Sequence, residues 1–250
     1  MSLQNHNNMK RNFFLSLLGI LIFSSCSYVG GKRINGNGNI VTQDRTAGKF
    51  NSVDVSGAID VYLRQDSAQQ AIKVETDENL QELVEIYEEN GVLYISPRDN
   101  FNLDPSNNKI KVFVATSQFR NLDVSGASNI YSENKLTSSE TLDIGLSGAS
   151  EAKIDAKAPR INAEITGAST VILTGETKDL NVGGSGASGA KCFDLKTENA
   201  TVDISGACSA EVFASIKLDV QASGASGVKY KGAPSITQDI SGASSIKKVD

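Results

Sequence analysis

Tryptophan is absent from this chain, histidine occurs once and cysteine three times among 250 residues. Each scarcity removes a class of chemistry. The one histidine, His6, stands ahead of an export-type segment. The remainder therefore has no imidazole for a Ser-His-Asp arrangement, a histidine metal site or most acid–base catalysis. Without tryptophan there is no indole on which a sugar could stack. Beyond residue 100 the only arginines are Arg120 and Arg160, which leaves little for a groove that must position a guanidinium against a glycan. The net charge of −5 is mild and gives no reason to expect nucleic-acid binding. The apolar run Phe13 to Phe23 is too short to span a bilayer comfortably. What is left is a chain long enough for one domain with a sizeable core plus a targeting segment. Its sparse aromatics suit a solenoid lined with small and β-branched residues.

What the chain has in abundance is one short phrase. Ser-Gly-Ala-Ser occurs at 125–128, 147–150, 185–188, 223–226 and 241–244, with variants at 56–59, 166–169 and 205–208. The central glycines are Gly57, Gly126, Gly148, Gly167, Gly186, Gly206, Gly224 and Gly242; after a first gap of 69 residues the steps are 22, 19, 19, 20, 18 and 18. A fixed period near 19 is the signature of a solenoid.

Counting from each glycine as zero, position −2 carries Val55, Val124, Leu146, Ile165, Gly184, Ile204, Ala222 and Ile240. Position −4 is equally apolar, apart from Gln238. Position +4 carries Ile130, Ala152, Val171, Ala190, Ala210, Val228 and Ile246, and +6 carries Ile154, Leu173, Cys192, Val212 and Tyr230. The residues between are mostly polar. Such alternation means strands with one buried face. Each coil then holds two strands, one on each side of Ser-Gly-Ala. Glycine takes positive φ and allows a sharp corner, alanine fits beside it, and the Ser/Thr before the glycine forms a hydroxyl column. One coil cannot bury its apolar face alone, but a parallel stack can, and a right-handed coil is the default hand. A nucleophile elbow also sets serine beside glycine. Eight copies without a histidine argue instead for a backbone requirement.

Residues 1–26 read as a lipoprotein signal. Met9-Lys10-Arg11 is a short basic region and Met9 is a candidate initiator; Phe13–Phe23 is the apolar region; Ser24-Ser25-Cys26 follows. Small residues before a cysteine resemble a bacterial lipoprotein signal, in which the Cys26 thiol becomes diacylated at the new N-terminus. Cleavage there removes Lys10 and Arg11, leaving 22 bases against 29 acids, a charge of −7. Residues 27–45 read as a tether and a Gly/Asn-rich lead-in. Ser27 is not the acid that commonly retains such proteins at the inner membrane, so an outer-membrane address is expected. Which side of that membrane the body faces stays open.

Residues 46–119 break the simple period. Ile72–Thr76 reads as a strand, Glu78–Leu83 as a helical turn capped by Asp77, and Val84–Glu88 with Val92–Ser96 as a hairpin around Asn90-Gly91. Residues 97–108 read as a surface loop and Ile110, Val112 and Val114 as another strand. This block is expected to build irregular coils that cap one end of the regular stack at 120–250, with 46–250 forming one domain. Gly36-Asn37-Gly38-Asn39, Asp44-Arg45, the strand at Phe50, Val55-Ser56-Gly57-Ala58-Ile59-Asp60-Val61, Asp77-Glu78-Asn79-Leu80 and Gly91-Val92-Leu93-Tyr94-Ile95 together resemble the auto-transporter adhesin head GIN domain family of Bacteroidetes-type bacteria. The resemblance runs from about residue 36 to the C-terminus. It implies an all-β fold, a right-handed parallel β-solenoid, on an exported and often lipidated protein, and it transfers no catalytic residue.

Of the cysteines beyond the signal, Cys192 falls on the inward +6 position and Cys208 at +2 of the next coil. That is four residues out of register, or ~13 Å along a strand, whereas a disulfide needs Cα atoms within about 7 Å. Both are expected unpaired. Position −3 carries Asp123, Gly145, Glu164, Gly183, Asp203, Gln221 and Asp239, an outward column with an acid on every second coil, ~9.6 Å apart. The alternation keeps like charges from stacking. As a calcium or polysaccharide site, Asp123, Glu164, Asp203 and Asp239 would have to converge on one point, which this spacing does not do. A solvated face is the simpler reading. Position +5 carries Lys153, Lys191, Lys229 and Lys247, interrupted by Ile172 and Glu211, so one face looks acidic and the other basic.

Together these readings point to a lipid-anchored cell-envelope protein acting as a non-catalytic, adhesin-like binding module with no cofactor or metal. Its partners would be the membrane through the lipid, a protein or glycan ligand, and a second copy end to end, but no nucleic acid. A periplasm-facing structural or signalling lipoprotein is the main alternative. A β-helix carbohydrate enzyme is the third.

Overall fold

Every corner glycine takes the left-handed backbone that its sequence position demanded, with φ between +71° at Gly242 and +100° at Gly57. The computed structural model describes residues 31–250 and divides the chain into two units, Met1–Lys32 and Arg33–Asp250. The features below belong to the second. The signal segment and Cys26 lie outside the described residues.

The N-terminal block contains β1 (Lys32–Asn35), β2 (Ile40–Arg45), β3 (Ser52–Val55), β4 (Ile59–Gln65) and β5 (Ala71–Asp77). A 3-10 turn at Glu78–Leu83 follows, then β6 (Val84–Glu89), β7 (Val92–Pro97), β8 (Phe101–Asp104) and β9 (Ile110–Thr116). The regular coils contain β10 (Asn121–Val124), β11 (Asn129–Ser132), β12 (Leu136–Thr137), β13 (Leu142–Leu146), β14 (Glu151–Ile165), β15 (Thr170–Gly184) and β16 (Gly189–Ile204). They finish with β17 (Ser209–Ala214), β18 (Lys217–Ala222), β19 (Gly227–Gly232), β20 (Ser235–Ile240) and β21 (Ser245–Lys248).

These strands form two facing walls of a parallel β-solenoid. Strands after the corner stack as β2–β5–β9–β4–β11–β14–β15–β16–β17–β19–β21, the lysine wall. Strands before the corner stack as β6–β7–β3–β10–β13–β14–β15–β16–β18–β20, the acid wall. The long strands β14, β15 and β16 belong to both, bending between the walls at the edge opposite the glycines. All coil-to-coil pairings are parallel. The added strands β2, β5 and β6 pair antiparallel, as β2–β5, β5–β9 and β6–β7, and thicken the N-terminal end into a cap.

The inward rows at −4, −2, +4 and +6 fill the space between the walls. Leu122, Ile130, Ile154, Leu173, Val202 and Val212 have no exposed surface. Cys192 is likewise fully buried, Cys208 nearly so, and both are free. A fifth inward row was not singled out from sequence. The serines at +2 (Ser128, Ser150, Ser169, Ser188 and Ser226) are buried, with Cys208 in line. Their hydroxyls knit the corner together. Ser150 Oγ donates to Ser147 O at 2.6 Å, and Ser169 Oγ accepts from Ser150 N at 3.2 Å. The hydroxyl column expected at −1 is only partly realised, by Ser125 to Val55 O at 3.4 Å and Thr166 to Leu146 O at 3.2 Å.

The one 20-residue step has a local cause. Between β15 and β16 the pairing moves from Ile172–Lys191 to Thr174–Asp194, which leaves one extra residue on β16. That is a β-bulge beside Phe193. The longest of the regular steps, the 22 residues from Gly126 to Gly148, accommodates the extra strand β12.

Three details of the N-terminal block differ from the sequence expectation. Residues 40–45, read as lead-in, form strand β2 against β5. Residues 97–108 are not loop throughout, because Phe101–Asp104 forms β8 and pairs with β1. Asp77 makes no side-chain cap to the 3-10 turn. Its fully buried carboxylate instead accepts Gly38 N at 2.7 Å and Ser106 N at 2.9 Å, pinning two distant loops. Burial pushes the Asp77 carboxyl up, but these hydrogen bonds outweigh it and hold the group below the ordinary carboxylate value.

Candidate binding surface

The walls turn rows of outward side chains into straight lines, one residue per coil. On the acid wall the −3 row runs Tyr87–Tyr94–Asp54–Asp123–Gly145–Glu164–Gly183–Asp203–Gln221–Asp239. Asp123, Glu164, Asp203 and Asp239 therefore share one row, each separated from the next by a coil. The intervening glycines make room for them. A Cβ at Gly145 would meet the Asp123 carboxylate, and one at Gly183 would meet that of Glu164. The alternation fails at one point the sequence reading did not cover, where Asp54 and Asp123 are direct neighbours. Burial raises both carboxyl pKa values, and Asp123 is raised further by Asp54 and Asp143. Beside this row, amides form a ladder: Asn162 donates to Asp143 at 2.6 Å and Asn181 to Asn162 at 2.8 Å. Nothing in the arrangement converges. Among the described residues no group of three or more His, Cys, Asp or Glu could hold a metal ion.

The lysine wall carries a feature that the repeat count hid. Its +5 row runs Asp44–Lys73–Phe113–Tyr62–Tyr131–Lys153–Ile172–Lys191–Glu211–Lys229–Lys247. Three aromatic rings stand in line on the outside, half-buried by one another. The Phe113 and Tyr62 centroids are 5.2 Å apart at 21°, and those of Tyr62 and Tyr131 5.4 Å apart at 32°. Such offset pairs stabilise by about 0.5–1.5 kcal/mol each beyond their area. The signal was present in part: Tyr62 and Tyr131 both occupy +5, in line with the lysines. Phe113 was hidden because it lies in the irregular interval, where no repeat sets the register.

The row behind the rings is tied down by charge. Asp60, 9% exposed at its side chain, accepts from Lys109 Nζ and Asn129 Nδ2, each at 2.8 Å, and Lys111 Nζ holds Glu75 at 2.7 Å. The Asp60 and Glu75 bonds raise the pKa of Lys109 and Lys111 respectively. Burial, then Asp60 and Glu151, raise that of Tyr131. In front of the rings, toward the loop after β4, a cleft of about 220 Å³ opens between Phe113, Tyr62, Arg64 and Lys73.

Two facing parallel walls, a glycine corner on every regular coil and outward rows of aligned side chains define a β-solenoid that presents surfaces rather than an enclosed site. The sequence profile described as "Putative auto-transporter adhesin, head GIN domain" matches residues 49–234, and the chain belongs to this family. Solved structures share the fold. A "putative adhesin" from Bacteroides fragilis NCTC 9343 superimposes with TM-score 0.81 at 20% identity, over 86% of this chain and 100% of that one. A "Putative lipid binding protein" from Parabacteroides distasonis ATCC 8503 gives TM-score 0.71 at 21% identity, over 88% and 100%. A "putative adhesin" from the same strain gives 0.69 at 21% identity, over 87% and 100%. No curated protein matches the sequence.

Proposed function

We propose that the protein is an exported, lipid-anchored and non-catalytic binding module of the cell envelope, held by Cys26 and binding through its lysine wall. The observation that carries this reading is the row Phe113–Tyr62–Tyr131. A chain with 6% aromatic residues spends three of them on one outward line, where they add nothing to the core between the walls. Aromatic residues at a surface are what recognition sites are enriched in. Family membership supports an adhesin-like role, and the export-type segment supports an envelope address.

The relative described as lipid-binding suggests a different ligand. The inward rows of this solenoid are filled to zero exposure at Val53, Leu122, Ile154 and Val202, so an acyl chain would have to lie on the outside. Among the described residues no helix is long and apolar enough to cross a membrane. The anchor in this reading is the lipid on Cys26.

The test is topology. With a tag after Asp250, protease is added to intact cells and to a lysed control, for the native chain and for Cys26→Ser. Loss of the tag in intact cells, and release of the Cys26→Ser chain from membranes, is the expected result. Protection until lysis would place the body on the periplasmic side and leave the structural or signalling alternative. Reducing ends released from glycans by the pure protein would restore the enzyme reading.

A further inference from the structure

We propose that the cleft beside the aromatic row binds an acidic sugar residue, a pyranose bearing a carboxylate. The assignment rests on the binding-module reading above and names the ligand class of that same wall. Three observations converge on it. The first is size. At about 220 Å³ the cleft is smaller than the ~300–1,000 Å³ of sites that enclose drug-sized ligands, and matches one ring-sized group. The second is shape and polarity. One side is the Phe113 and Tyr62 rings, and Ala71 and Ala115 contribute small side chains where larger ones would fill the space. Apolar C–H faces of a sugar pack against such a wall.

The third is charge held in reserve. Arg64 and Lys73 flank the rings, with 61% and 53% of their side chains exposed. Their carboxylate partners are distant, Glu133 at 4.0 Å from Arg64 and Asp44 at 3.8 Å from Lys73. Neither cationic head makes a direct hydrogen bond among the described residues. Other arginines of the molecule, Arg33, Arg98, Arg120 and Arg160, are spent at 2.6–3.2 Å on a carboxylate. A guanidinium with unused donors and an ammonium lining the same cleft suit a carboxylate. Glu133 and Asp66, at the same cleft, supply acceptors for hydroxyl groups. Apolar wall, cations and acceptors within one ring's reach describe a polyhydroxylated ring with one negative charge better than they describe a peptide or a bare anion.

The experiment uses the full-length chain in detergent micelles, titrated with galacturonate and glucuronate oligosaccharides, their neutral galactose and glucose counterparts, and dextran sulfate fragments, which carry anions but no carboxylate. Uronate oligosaccharides should bind and the neutral ones should not. Arg64→Gln and Lys73→Gln should each weaken uronate binding about tenfold, the usual cost of a lost hydrogen bond to a charged group. Lys153→Gln, in the same row beyond Tyr131, should not. All three changes are at exposed positions, and an unchanged circular-dichroism spectrum and melting temperature keep the comparison fair. Equal binding of neutral and acidic sugars, or uronate binding indifferent to Arg64 and Lys73, overturns the assignment. Dextran sulfate bound as well as uronates through Arg64 also overturns it, since the cleft would then read any anion. Retention of other glycans or proteins without dependence on Arg64 sinks the acidic-sugar assignment and leaves the binding module standing. No retention of any glycan or envelope protein sinks both.

Discussion

Gly186→Ala and Gly91→Ala make a matched pair that separates two reasons for glycine. Both residues have φ +82°. At Gly91, in the β6–β7 hairpin, a Cβ would meet nothing within 4 Å. At Gly186 it would lie 2.7 Å from the carbonyl oxygen and 3.2 Å from the nitrogen of Gly167 in the preceding coil. The left-handed backbone costs alanine roughly 1–2 kcal/mol, and the lost freedom of the unfolded chain returns about 0.4–1. Gly91→Ala should therefore destabilise by about 1 kcal/mol or less. Gly186→Ala carries the same balance plus a displaced coil. The bond from Ala187 N to Gly167 O, 2.8 Å long, must stretch or break, which adds about 1–3 kcal/mol. The total is about 1–4 kcal/mol. Urea unfolding of the purified full-length chain, followed by circular dichroism, gives the difference if the slope of the transition is unchanged between variants. Equal losses for the two variants would refute the claim that the corner is built by stacking, and leave only the φ requirement.

The two free cysteines should differ sharply. Cys192→Ser puts a hydroxyl into a fully apolar row and should cost about 1–3 kcal/mol, whereas Cys208→Ser restores the serine of Ser188 and Ser226 and should be near neutral by the same unfolding measurement. Burial pushes the Cys192 thiol up to about 12, so iodoacetamide at pH 8 should leave it unmodified until the protein unfolds, as read by mass spectrometry. Thr76 Oγ1 is buried without a hydrogen-bond partner among the described residues, so Thr76→Val should raise stability by about 1 kcal/mol; a loss instead would mean that the hydroxyl has a partner in solution. Asp77, whose folded pKa lies below its ordinary 3.8, contributes stability that is present above that value and lost as pH falls through the folded pKa. Asp77→Asn should be less stable at neutral pH and flatten the acid-unfolding curve below about pH 4, whereas an unchanged curve would remove Asp77 as the pin between Gly38 and Ser106.

The regular coils were legible because two periods coincide. Alternation fixes which side chains face in, and the glycine fixes where each coil restarts, so Ile154, Leu173, Cys192 and Val212 could be aligned without coordinates. The buried serines at +2 had the same parity as +4 and +6. Their signal was present, masked by the more conspicuous hydroxyl before each glycine. Asp77 was different. Its partners lie 39 and 29 residues away in loops that no periodicity connects, so its place beside the 3-10 turn suggested a cap that it does not make. The aromatic row needed the register of β9 against β4, and that register is set by an interval of 69 residues with no repeat in it. The acid column was readable as a row. Its direct contact between Asp54 and Asp123 depended on the same long interval.

From Gly126 on, the steps between corner glycines vary from 18 to 22 residues, yet the glycines stay in line, with each following alanine bonded to the glycine of the coil before at 2.7–2.8 Å. All the slack is therefore taken up elsewhere, in the bulge at Phe193, in strand β12 and at the bend near Thr197 and Ser215. The molecule has a rigid spine and a permissive margin. Lineages that gain or lose residues are free to do so along the margin without disturbing the spacing of either wall. Foreign loops grafted there, between Ala214 and Lys217 for example, would be displayed from the narrow edge of the solenoid at intervals set by the spine.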